Sequence, residues 1–325
     1  MVVAGLVGLV VVALVVFVLT RGGGEPATPT PTPTPTATAT PTAAATAAVA
    51  AGPFAIGDGP DGIAVGAGAV WAAASRDGTL TRIDPVTGDT ATVKVGKNPD
   101  SVVVAFDEVW VSLTDEDKVA RVSADEHPRV LGTVDVGDGP EGLAASSRAI
   151  WVANSGDGSV SQIVKAGGKV NTVRNVASQP VDVAIGAGAV WVAGSGDARV
   201  VRIDGGKLTL VTAVQVGANP RALAIVGRDV WVTSAGDGRV RSIDSDTNTI
   251  GRNVDLGGRP ADIANDGSHL WISDGTRDRV VELDPATGKV LARKSVSGRP
   301  LGVAVDQNAV WTTAFDAGAV ARIPR

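Results

Sequence analysis

A chain of 325 residues with 44% hydrophobic content carries ample apolar surface for a large core. Its formal charge of -5 makes non-specific nucleic-acid binding unattractive, because neutralising a run of phosphates needs an extended basic face. The absence of cysteine excludes disulfides, thiolate metal ligands and cysteine nucleophiles together.

In chain order, Val2 to Thr20 is a run of uncharged, mostly apolar residues. At about 1.5 Å per residue it matches the ~30 Å hydrocarbon core, so a transmembrane anchor is expected over residues 1–21. A cleaved signal peptide is the alternative, but Thr20-Arg21-Gly22 follows directly in place of a positive leading region and a small-residue cleavage site. The lack of charge before the span suggests a longer gene product upstream. Residues 22–48 open with three glycines and run through Pro/Thr alternation from Pro29 to Thr36, a disordered linker that favours extended geometry. Arg21 points to a cytoplasmic C-terminal flank, whereas a Pro/Thr stalk belongs outside the membrane; the stalk places residues 49–325 on the extracytoplasmic side.

From residue 49 the chain repeats. Trp71, Trp110, Trp151, Trp191, Trp231, Trp271 and Trp311 are its only tryptophans, spaced 39 to 41 residues apart. A period near forty residues marks one supersecondary unit that buries its apolar surface against its neighbours. Each unit reads as four short runs rich in Val, Ile and Thr and bounded by Gly, Asp and Pro, which is strand and turn chemistry. The second run, as in Val190-Trp191-Val192-Ala193, is apolar at consecutive positions, so both of its faces are covered by stacked sheets. The expected fold is all-β, a seven-bladed β-propeller. Its seventh unit ends after a third strand, and residues 49–56 lie in the register of a fourth, so the N-terminal strand is expected to close the ring and remove an exposed edge.

These features carry a family resemblance over residues 52–325: the Gly-x-x-Pro approach to the first strand, Val-Trp-Val-Ala in the second, Asp-Gly before the third and Ile-Asp-Pro-x-Thr-Gly at the last turn. The chain resembles YVTN/NHL-type propeller repeats, the virginiamycin B lyase-like superfamily among them. Blade two, at Ser123 to Pro128, and blade three, at Lys165 to Lys169, depart from the last turn. A propeller behind a span and a Pro/Thr linker also resembles the extracytoplasmic sensor domain of bacterial membrane serine/threonine kinases. The lyase resemblance implies a histidine and metal-binding acids at the central loop face. The two histidines, His127 and His269, fall in loops of the opposite face, so enzymatic activity is not the expectation and no catalytic, cofactor or metal residue is assigned.

Other motifs read as structure. Gly57 to Gly62 and Gly137 to Gly142 spell G-x-G-x-x-G, but a strand follows where a dinucleotide site needs a helix. Asp244 to Asp255 resembles a calcium loop, with Thr249 where Gly is required. A carboxylate precedes every third strand, at Asp77, Asp117, Asp157, Asp197, Asp237, Asp278 and Asp316, as expected of turn acceptors. Symmetry breaks around the repeated proline. Asp61, Asp100, Glu141 and Asp182 occupy the early blades, and Arg221, Arg259, Asp262 and Arg299 the later ones, with Arg277 and Arg279 nearby. The expectation is a bipolar rim around a central channel, with Phe315 as an exposed anchor. Solvated loop charge is the alternative. The functional expectation is a membrane-tethered, non-enzymatic, monomeric binding or sensor propeller for an unidentified protein or small ligand. A lyase-like enzyme and a structural cell-surface scaffold are the alternatives.

Overall fold

The computed structural model describes residues 52–325, and over them the chain forms seven four-stranded antiparallel sheets. The expected anchor and the whole of the expected linker lie outside the described residues. Among the described residues no helix is long and apolar enough to cross a membrane. Blade one runs from its inner strand Pro60–Gly66 through Ala69–Ala74 and Thr79–Ile83 to an outer strand Thr90–Lys94. Its second strand is buried at every position while its outer strand alternates, because stacked neighbours cover the middle of each blade and solvent meets the rim. Blades two and three keep their outer strands, Val130–Asp135 and Val170–Val173, despite their divergent last turns.

Blade seven is completed from the other end of the chain. Phe54–Ala55 pairs antiparallel with Ala319–Pro324, Phe54 opposite Val320 and Ala55 opposite Ala319. The Ile56 amide then donates to the Gly318 carbonyl at 3.0 Å. Val95, Val136, Val176, Val216, Leu256 and Val296 make the same bond at the same place in the other six blades, so the N-terminal segment fills the fourth-strand position. Of the expected strand over 49–56, residues 49–51 lie outside the described residues.

The tryptophans are inter-blade wedges. Trp71 packs with Val102, Val109 and Leu113 of blade two, and Trp151 with Val183, Val190 and Val201 of blade four. At the seam, Trp311 packs with Val70, Ala72 and Ile83 of blade one, beside Phe54 and Ile56. Indole N–H groups are satisfied locally where they can be. Trp71 and Trp191 donate to the carbonyls of Gly66 and Gly186 at 3.2 and 3.3 Å, and Trp271 and Trp311 to the carboxylates of Asp266 and Asp306 at 3.0 and 2.7 Å.

Every inner strand carries one bulge just after its proline, with a register shift between Pro60 and Ile63 in blade one and its equivalent in the other six. A bulge leaves backbone groups out of the ladder and re-aims a side chain. Hydroxyls two residues beyond the tryptophan take up the stranded amides in four blades. Ser112, Thr233, Ser273 and Thr313 accept from the amides of Ser101, Ala222, Asp262 and Gly302 at 2.8 to 3.0 Å. Three of them also donate across to the next inner strand, at the carbonyls of Ala261, Leu301 and Asp61. These bonds stitch the inner strands of blades five, six, seven and one together at the depth of the bulge, where the one or two residues after each proline face the axis.

Candidate functional site: a charged channel mouth

The bulges bring Asp61, Asp100, Glu141, Asp182, Arg221 and Asp262 to one cavity of about 170 Å³ at the end of the central channel. Five carboxylates meet one guanidinium, contributed by six of the seven blades. Blade seven contributes only Leu301 and Gly302, and a Cβ at Gly302 would lie 2.3 Å from the Asp61 carbonyl, so the close approach of blades seven and one requires glycine there.

Four of the five carboxylates fall into two groups. Asp182 and Asp262 are clasps: Asp182 accepts from the Leu223 amide of blade five at 2.7 Å, and Asp262 from the Val303 amide of blade seven at 2.8 Å. Ser101 makes the corresponding bond from the Leu143 amide at 3.2 Å. Asp61 and Asp100, by contrast, are held by no side-chain hydrogen bond among the described residues and present their oxygens to the channel.

Confinement raises the carboxyl pKa values, because the charged form loses hydration. Burial pushes Asp182 up to about 8, with repulsion from Asp262 adding to it and its backbone hydrogen bonds and Arg221 pulling back. Burial likewise pushes Asp262 up to about 6 against its own two amide donors. Asp100 is driven well above the carboxylate range by burial and then by Asp61 and Glu141, while Asp61 and Glu141 are raised by burial and restrained in part by Arg221. These groups titrate as a set, so the mouth stores protons near neutral pH.

Arg221 is the hub. Besides the channel, it lines a depression with Glu141, Ser155, Gln179 and Ser195, and a second one with Arg259, Arg299, Asn219 and Thr276. The expected bipolar rim is therefore rearranged: acids and one arginine share the channel, and the remaining basic groups lie beside it. Arg277 lines neither, because its guanidinium, like that of Arg279, donates to the Leu256 carbonyl, at 3.1 and 2.7 Å. Arg279 also pairs with the buried Asp274 at 2.9 Å. Phe315 is no exposed anchor. It is half-buried between two guanidinium groups, Arg299 of its own blade 4.1 Å from the ring centroid and Arg76 of blade one at 4.7 Å, a clamp over the seam.

The repeated acids before the third strands behave as turn acceptors and tie down the approach loops. Asp77 accepts from the Asp58 amide at 2.8 Å, Asp117 from Gly139 at 2.9 Å, Asp197 from Ser178 at 3.0 Å and Asp278 from Arg299 at 2.9 Å. The apparent calcium loop is an Asx turn, Asp244 accepting from the Asp246 and Thr247 amides at 2.9 Å. His269 lies in the loop between Pro260–Asn265 and Leu270–Asp274, its Nδ1 3.6 Å from Asp266 and 3.9 Å from Glu282, and His127 in the loop before Val130–Asp135. Both loops are on the face opposite the mouth. Sequence reading did not single out the hydroxyls of Ser112, Thr233, Ser273 and Thr313, although aligning the tryptophans shows them at the position that Ala73, Ala153 and Ala193 occupy in the other blades.

The architecture matches solved structures closely. A streptogramin B lyase structure superposes with a TM-score of 0.74 at 15% identity, covering 83% of this chain and 96% of that one. Virginiamycin B lyase from Staphylococcus aureus gives 0.72 at 15% identity, covering 82% and 95%. This chain has the seven-bladed fold of virginiamycin B lyase. The same fold serves other proteins, since a Kuenenia stuttgartiensis hydrazine synthase structure gives 0.73 at 18% identity over 83% and 96%. Identities this low carry the architecture and no activity. No family model and no curated protein matches the chain.

Proposed function

We propose that the chain is a non-enzymatic binding or sensor propeller, tethered to the outer side of a membrane, which takes the cationic group of a small ligand or protein partner into the carboxylate-lined channel mouth. One observation carries this reading: charged side chains from six blades converge on a single small cavity, five carboxylates to one guanidinium. Gathering mutually repelling carboxyls in a confined site costs stability, a burden that a spacer has no use for. A cation relieves it. The cavity is smaller than the ~300–1,000 Å³ of drug-sized pockets, which suits an ammonium head group. A histidine-dependent lyase is disfavoured, because His127 and His269 are on the far face.

Calorimetric titration of the full chain with ethanolamine tests the channel. Asp100→Asn, which keeps shape and removes charge, is expected to weaken binding by roughly tenfold or more, as for a lost charge-assisted hydrogen bond. Equal affinity in the two proteins would remove the channel from consideration.

Tethering rests on the apolar run Val2 to Thr20, on the Pro/Thr stalk and on chain direction. Phe54–Ala55 runs toward the approach loop at the mouth, so the chain arrives from the opposite face. A stalk of roughly thirty residues reaches about 90 Å at ~3.1 Å per extended residue, enough to hold a propeller clear of a membrane surface. In this cysteine-free chain, single cysteines at Arg259 and at His269 are expected to react with an impermeant thiol reagent in intact cells. Reaction only after lysis would refute the extracytoplasmic placement.

A further inference from the structure

The depression beside the channel is built unlike the rest of the surface. It has a volume of about 380 Å³ and is lined by Arg221, Arg259 and Arg299, with no acidic residue among its walls. Elsewhere on the fold most guanidinium groups are spoken for: Arg121 by Glu108, Arg241 by Asp237, Arg252 by Asp229 and Arg279 by Asp274. The side chains of Arg221 and Arg259 have neither an ion pair nor a hydrogen bond among the described residues, and both converge on this one concavity. Arg299 is held ready in a different way. Its guanidinium carbon lies 4.1 Å from the Phe315 ring centroid, and its Nε is ion-paired with Asp316 at 3.4 Å, two contacts that hold the group at the depression.

Arg299 sits at φ +57°, just before Pro300. Blades one and three fill that position with Gly59 and Gly139, blades two and five with Asn98 and Asn219, and blade four with Gln179 at φ +50°, so the left-handed turn accepts a long side chain in two blades. Asn219 also lines the depression. The Ser195 hydroxyl donates to its Oδ1 at 2.7 Å, which fixes the amide so that its NH2 is left as a donor.

The geometry points to a phosphate-monoester subsite in the Arg221/Arg259/Arg299 depression. Arg259 brings an unpaired guanidinium charge, and Arg221 and Arg299, which also feel the mouth carboxylates and Asp316, add two more guanidinium groups around the same concavity; the three together suit a dianion, and planar N–H forks suit phosphoryl oxygens. Because Arg221 is shared with the channel, the ligand is dipolar: its phosphoryl group lies over the arginines and its ammonium enters the carboxylate mouth. Only the ammonium half rests on the reading of the channel given above; the phosphate half stands on the depression alone.

Titrating the full-length protein with single-function probes separates the two halves. Inorganic phosphate is expected to bind the wild type, to bind at least about tenfold more weakly to Arg259→Gln, and to bind within about twofold as well to Asp100→Asn. Dimethyl phosphate, a monoanion, is expected to bind at least about tenfold more weakly than inorganic phosphate. Phosphoethanolamine is expected to exceed both phosphate and ethanolamine by about tenfold or more, through linkage of the two sites. Phosphate binding that is absent, or unchanged in Arg259→Gln and in Arg299→Gln alike, overturns the subsite, and equal binding of dimethyl phosphate overturns its monoester class. Phosphate binding without ethanolamine binding upholds the depression and defeats the channel. Ethanolamine binding without phosphate binding does the reverse.

Discussion

Removing the closing strand is expected to cost more stability than any single substitution on the surface. Phe54 and Ile56 are 8% and 5% exposed, and the Phe54 ring lies 5.7 Å from Trp311. Exposing two such side chains costs roughly 3–6 kcal/mol by burial alone, before the loss of the hydrogen bonds to Ala319–Pro324. Deletion of residues 49–56 also leaves Ala319–Pro324 as an unpaired edge, a template for aggregation. The expected result is a much lower melting temperature with turbidity on heating. The double substitution Phe54→Ala and Ile56→Ala, which keeps the backbone, is expected to lower the melting temperature without the same aggregation. A melting temperature unchanged in either variant would contradict closure through this strand.

The second large effect belongs to the tryptophans. Trp71, Trp191, Trp231, Trp271 and Trp311 are all at most 1% exposed, so truncation to alanine is expected to cost about 3–5 kcal/mol at each, by cavity formation between blades. Replacement by phenylalanine separates packing from hydrogen bonding. Trp311 donates to Asp306 at 2.7 Å, whereas the buried Trp231 Nε1 has no partner among the described residues. Trp311→Phe is therefore expected to be more destabilising than Trp231→Phe by about 1–2 kcal/mol in denaturant unfolding. Equal costs would mean that the indole N–H bonds contribute nothing, and a tryptophan whose loss spared stability while removing binding would overturn their reading as wedges.

What was legible in the sequence follows from symmetry. Tryptophans at a constant period, paired with strand and turn punctuation, determine a ring of stacked sheets, and the missing last strand is found by aligning Gly52 to Ile56 with the ends of the other units. Six of the candidate site residues, Asp61, Asp100, Glu141, Asp182, Arg221 and Asp262, were legible for the same reason: they are where a repeat stops repeating, beside a proline that places them on the inner strand. The mouth was less legible in its wiring. Each clasp, at Ser101, Asp182 and Asp262, is the second residue after its proline, whereas Asp61 and Asp100 are the first; reading the charges around the proline as one set passed over that offset. Arg277 and Phe315 were misplaced because their partners, the Leu256 carbonyl and Arg76, come from neighbouring blades and are invisible in a linear reading. The depression around Arg259 and Arg299 was half legible. The arginines stand out in the alignment, but their separation from the acids is a matter of three dimensions.

The central claim is that the raised carboxyls of the mouth receive a cation, and proton linkage tests it most directly. A cation favours the ionised form of each carboxyl it meets, so a group protonated in the free protein gives up its proton on binding. With burial holding Asp262 near about 6 and Asp182 near about 8, the affinity for ethanolamine, which stays protonated throughout, rises as pH increases from about 6 to about 8. Titration of the full chain with ethanolamine near neutral pH, in buffers of different ionisation enthalpy, reads the protons released. The account predicts net release together with affinity that climbs over that interval. Binding with no proton release and no dependence on pH would contradict it.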